Sequence, residues 1–92
     1  MQEASKDKIK RLVVTFGHIV EKHRKKQGKT AYKISAECSL SKTSWREVEL
    51  GEKDFRISTL WRIAEGLDIP LGDLINELSK ELGDKFSLSD LK

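Results

Sequence analysis

Apolar residues recur at intervals of three and four along most of this chain, the period of helices that bury one face. Ile9, Leu12, Val13, Phe16 and Val20 mark such a face on a first helix. The spacing predicts that this helix runs from a Ser5 cap to about Gln27, with His23 continuing the face as a packed ring. Ile34 marks one face of a second, short helix running from a Thr30 N-cap to about Cys38. Trp45 and Val48 lie three apart on a third, which starts at a Ser41 cap and stops at Gly51. After a polar loop, Ile57, Leu60, Ile63, Ala64 and Leu67 form the inner face of a fourth helix from Ile57 to about Gly66. Pro70 suits the start of a fifth, striped by Leu71, Leu74, Ile75, Leu78 and Leu82 up to Gly83. No strand alternation or internal repeat interrupts the pattern. The expected fold class is all-α with five helices, the first of them extended.

This pattern divides the chain into a flexible tail over residues 1–5, a helical domain over 6–82 and an apolar extension over 83–92. Phe86, Leu88 and Leu91 make the extension too apolar for a solvated tail. With Leu78 and Leu82 they are the expected dimer contact, since 92 residues give a modest core and leave apolar surface to cover.

The net charge of +3 is mild, but it is unevenly spread. Residues 1–50 carry 12 basic and 6 acidic side chains; residues 51–92 carry 6 basic and 9 acidic. One face is therefore expected to meet a polyanion, although small helical domains also acquire uneven charge by chance. The basic run Lys22-His23-Arg24-Lys25-Lys26 has two readings: cations complementing a helix C-terminus, about 0.3–1 kcal/mol each, or phosphate contacts. One cysteine excludes an intramolecular disulfide framework. Cys38, His18 and His23 are too few for a tetrahedral zinc site. No apolar run spans a bilayer and no signal-peptide core is present, so the expectation is a cytoplasmic protein with no membrane association and no cofactor. No nucleophile–base spacing or phosphate loop points to an enzyme.

Residues 30–51 carry the functional signal. Behind Trp45 and Val48, the outer face of the third helix holds Lys42, Thr43, Ser44, Arg46 and Glu47, a polar and partly basic front of the kind that reads DNA. Arg24 four residues before Gly28, Thr30 at the second helix, the run Ser41-Lys-Thr-Ser-Trp-Arg-Glu-Val-Glu-Leu-Gly51, and then Leu60, Ile63-Ala64, Leu67, Leu71, Leu74 and Ile75 follow one another without a gap. From Phe16 to Ile75, two thirds of the chain, this spacing resembles the XRE-type, lambda-repressor-like (Cro-type) helix-turn-helix DNA-binding domain family.

The resemblance implies roles position by position. Arg24 and Glu49 match a structural salt bridge between the first and third helices. Lys42, Thr43, Ser44, Arg46 and Glu47 match base-reading positions: Lys42 or Arg46 suits guanine O6 and N7, Thr43 a thymine methyl, Glu47 a cytosine amino group. Thr30 matches a phosphate-binding cap, and Ser41 belongs to the same phosphate-facing set. Lys29, Lys33 and Lys53 are phosphate candidates from position alone. Four positions depart from the family pattern: Ala31 replaces a phosphate-binding Gln, Ser35 a small Ala, Ser39 a turn Gly of positive φ, and Trp45 a smaller Ile or Val. The expected function is a sequence-specific transcriptional regulator of double-stranded DNA, a repressor or controller protein. It would act as a homodimer on a pseudo-palindromic operator and sense no small molecule. The rival expectation, motivated by Ala31, Glu47, Leu50 and the apolar extension, is an antitoxin-like module whose main ligand is a protein partner.

Overall fold

The computed structural model describes the backbone of residues 2–89 and the side chains of residues 6–89. Five helices follow one another: α1 (Gln2–Lys26), α2 (Ala31–Glu37), α3 (Lys42–Leu50), α4 (Ile57–Leu67) and α5 (Leu71–Leu82). No strand occurs among the described residues, and the fold is all-α. α1 is the long axis of the molecule, packed against α3 on one flank and α5 on the other.

Local chemistry sets the ends of the short helices. The Thr30 hydroxyl accepts from the Lys33 N–H at 3.1 Å, and the Ser41 hydroxyl accepts from the Ser44 N–H at 3.0 Å. Gly51 ends α3 in the left-handed region at φ 66°. Pro70 is the N-cap of α5, one residue before the helix. α1 starts at Gln2, three residues before the expected Ser5 cap, so the expected loose tail is helical from residue 2. An established helix adds a residue for little further cost, and a Ser inside it is only mildly unfavourable.

The core gathers Phe16, Ile19 and Val20 of α1 with Ile34, Trp45, Val48, Ile63, Leu67, Leu74 and Leu78, and Cys38 closes it beside α2. Burial pushes the Cys38 thiol pKa up, which keeps it protonated and inert. Trp45 is fully buried. The Ser35 hydroxyl, buried where a smaller side chain would suffice, donates to the Tyr32 carbonyl at 2.9 Å. Two assignments of faces change. Ile57, the first residue of α4, is 73% exposed, not inward-facing. Leu78 is buried in its own core and so is not free to form a dimer seam, while Leu82 packs against that core and is partly buried.

The extension also folds back onto its own chain. The Arg11 guanidinium lies 5.3 Å from the Phe86 ring centroid and donates to the Leu82 carbonyl, while Lys8 reaches the Ser89 carbonyl. Leu88 remains 44% exposed. Leu91 lies outside the described residues.

Ser39, in the turn between α2 and α3, has a φ of 61°, a region costly for a side chain with a β-carbon. Ser39→Gly is expected to stabilise the fold by about 0.5–1 kcal/mol after its entropy cost, raising the melting temperature by a few degrees. An unchanged or lower melting temperature would show that the turn carries no such strain. A second expectation concerns pH. Hydrogen bonds from His23, at 2.7 Å, and from Lys22 hold the Glu77 carboxyl below its usual range and clamp α1 to α5. A depressed folded pKa gives stability that is present above the unfolded value of about 4.3 and lost as pH falls through the folded one. Glu77→Gln should therefore melt below wild type at neutral pH, by less than about 1 kcal/mol, and the gap should close in acid. Equal gaps at both pH values would count against the clamp.

Candidate nucleic-acid interface

α3 is placed by what lies behind it. Gly17 of α1 faces the end of α3 so closely that an added Cβ would lie 2.4 Å from the Val48 carbonyl oxygen and 2.6 Å from that of Glu49. At Gly51 an added Cβ would lie 2.6 Å from the Val14 Cα. The Lys10 ammonium donates to the Gly51 carbonyl at 3.0 Å. No apolar period marks Gly17, and the sequence reading passed over it; its only signal is a glycine inside a helix that otherwise favours larger residues.

Glu49 is the polar centre of this contact. It accepts from Arg24 through Nε at 2.6 Å and Nη2 at 3.0 Å, and from the Trp45 indole N–H at 2.6 Å. Arg24 donates its remaining arm, Nη1, to the Lys29 carbonyl at 2.8 Å. The two charged side chains are only 14% and 10% exposed. The Glu49 hydrogen bond raises the Arg24 pKa further above its already high value. Arg24 is thus occupied inside the fold and is not available to a ligand.

The outer face of α3 presents Lys42, Thr43, Arg46 and Leu50 to solvent, with Ser44 and Glu47 half-buried. Lys42, Thr43, Arg46, Glu47 and Leu50 border one shallow cleft of about 420 Å³. Lys42 and Arg46 make no ion pair with a described residue. Ser44 and Ser41 are spent on each other: Ser41 donates to the Ser44 hydroxyl at 2.9 Å as well as capping the helix. The flanking phosphate candidates divide. Lys33 has no carboxylate partner among the described residues, whereas Lys29 is paired with Glu37 at 2.8 Å and Lys53 with Glu47 at 3.2 Å. Thr30 remains exposed at the start of α2. Ala31, Arg46 and Leu50 border a second cleft of about 370 Å³ that Arg24 and Glu49 also line.

Among the described residues no group of His, Cys, Asp and Glu could hold a metal ion, and no helix is long and apolar enough to cross a membrane. No protein-family model matches the chain, and no curated protein matches it. Among solved structures, it is similar to the clp gene regulator ClgR from C. glutamicum, with a TM-score of 0.71 over 80% of this chain and 96% of that one. The identity is 19%, so the likeness establishes a shared helical fold and no more.

The Arg24–Glu49 pair is open to a double-mutant test. Removing one partner strands a nearly buried charge, so Arg24→Met or Glu49→Leu alone should each cost about 3–5 kcal/mol in thermal or urea unfolding. The double variant should lose clearly less than the two single losses added. Strict additivity would mean that the two side chains act independently.

Proposed function

We propose that this protein is a sequence-specific regulator of transcription that binds double-stranded DNA with α3 in the major groove and acts as a homodimer on a pseudo-palindromic operator. The observation that carries this reading is the division of labour on α3. Its rear is locked to α1 by Trp45, Val48 and Glu49, while Lys42, Thr43 and Arg46 stand outward without a side-chain partner among the described residues. The shared fold with a gene regulator supports it. In this reading Lys42 and Arg46 address guanine edges, Thr43 a thymine methyl, and Glu47 a cytosine amino group once phosphate draws Lys53 away. Thr30 and Lys33 face the phosphates, joined by Lys29 when it exchanges Glu37 for the backbone and by Ser41 when its hydroxyl hydrogen turns from Ser44. The work would be cytoplasmic, with DNA as the ligand and no cofactor.

Charge favours two copies. One reading helix with two unpaired cations neutralises few phosphates, and affinity scales with the number neutralised. Half-sites about 34 Å apart let a two-fold dimer double that number.

Selection of bound sequences from a random duplex pool at moderate salt should return an inverted repeat with half-sites about one helical turn apart. Lys42→Ala and Arg46→Ala should each cost about 1–3 kcal/mol on that operator and relax preference at the bases they face. Lys33→Ala should instead weaken binding to all sequences and reduce the salt slope by about 1. A folded protein that enriches no sequence would shift the assignment to the protein-partner module.

A further inference from the structure

α4 exposes an apolar stripe that the core does not use. Ile57 is 73% and Trp61 59% exposed, one helical turn apart on the same face. Beside Trp61 opens a groove of about 300 Å³ lined also by Ile69, Pro70 and Leu71, with Glu65 and Asp68 at the same face. A large exposed aromatic beside an apolar groove is a knob next to a hole.

The charges at the two ends of α4 are the reverse of what its dipole favours. At the N-terminus, Arg56 is the N-cap residue, makes no side-chain capping bond, and no acid follows in the first turn. At the other end stand Glu65 and Asp68, where the helix already carries partial negative charge. None of these three side chains has an ion-pair partner among the described residues. Within one chain both ends are unfavourable. Two copies of α4 laid antiparallel put the cationic, uncapped end of each against the acidic end of the other. Trp61, near the middle of the 11-residue helix, then falls close to the two-fold axis.

We propose that this face of α4 is a two-fold interface with a second copy of the chain, in which α4 packs antiparallel to α4 and each Trp61 enters the groove beside the other. A self-complementary patch of this kind closes at two subunits. The extension over residues 83–89 is a weaker candidate because Arg11 and Lys8 already hold it on its own α1. The inference names the contact for the dimeric regulator proposed above and rests on that reading for its two-fold target, but its test involves no DNA.

Light scattering and sedimentation of the full chain without DNA, across a concentration series, should show one chain passing to two. The fluorescence of Trp61 should shift to the blue over the same range, while buried Trp45 contributes a constant background. Trp61→Ala and Arg56→Glu should each weaken dimerisation by about tenfold or more with helicity unchanged. Combining Arg56→Glu with Glu65→Arg should recover most of that loss, which neither a folding defect nor a remote effect would produce. A protein monomeric at every concentration would overturn the proposal. So would variants that dimerise like wild type, or a dimer dissolved by Phe86→Ala alone. A Trp61-dependent dimer that enriches no duplex sequence would leave this interface standing and remove the DNA-reading function instead.

Discussion

Glu49 holds together three parts of the chain that are distant in sequence. Through Arg24 it binds the end of α1, through the Arg24 contact to the Lys29 carbonyl it fixes the loop before α2, and through Trp45 it braces α3 on itself. A carboxylate this little exposed is costly unless its oxygens are occupied, and here three donors occupy them. Such a network contributes less net stability than well-packed apolar side chains would, but it admits only one arrangement. That is the property a reading helix needs, because base edges are recognised by hydrogen bonds with tight distance and angle requirements.

Close approach of backbones does the rest. Gly17 and Gly51 let α1 and the end of α3 meet with no side chain between them, and the Lys10 bond to the Gly51 carbonyl closes the contact. The turn that aims α3 is held in the same way. Ser39 occupies a left-handed conformation while its neighbour Leu40 bonds the Ser35 carbonyl at 3.0 Å and Arg62 of α4 donates to the Ser39 carbonyl at 3.2 Å. Surrounding bonds over-determine the turn, which is how a residue other than glycine persists there.

Charge on the outer surface is more self-compensated than the composition suggests. The N-terminal half carries twice as many basic as acidic residues, yet Lys22, Lys25 and Lys29 are each matched to a glutamate, as is Lys53 beyond it. Exposed pairs of this type are worth about 0–1 kcal/mol, so a phosphate can displace the glutamate at little cost, but the glutamate's own repulsion remains. Lys42 and Arg46 on α3 and Lys33 on α2 are exposed and make no ion pair with a described residue.

Much of this was legible in the sequence, and what was not has a common cause. The Thr30, Ser41 and Gly51 signals act through their immediate neighbours, so the bounds of α2 and α3 agree with the spacing to within a residue. Trp45 and Val48 lie inward for the same reason: a three-residue step settles which side chains share a face. Periodicity does not say which face meets which partner. It placed Ile57 inward, reserved Leu78 for a second chain, missed Ile19, and gave no weight to the exposed Trp61. Pairings such as Lys53 with Glu47 and approaches such as that at Gly17 depend on distances between elements, which spacing along one element cannot contain. The residues that hold the candidate site in place were therefore harder to read than the residues it presents. The presented side chains follow from the helical period of α3 alone, and their supports follow from the packing of the whole domain.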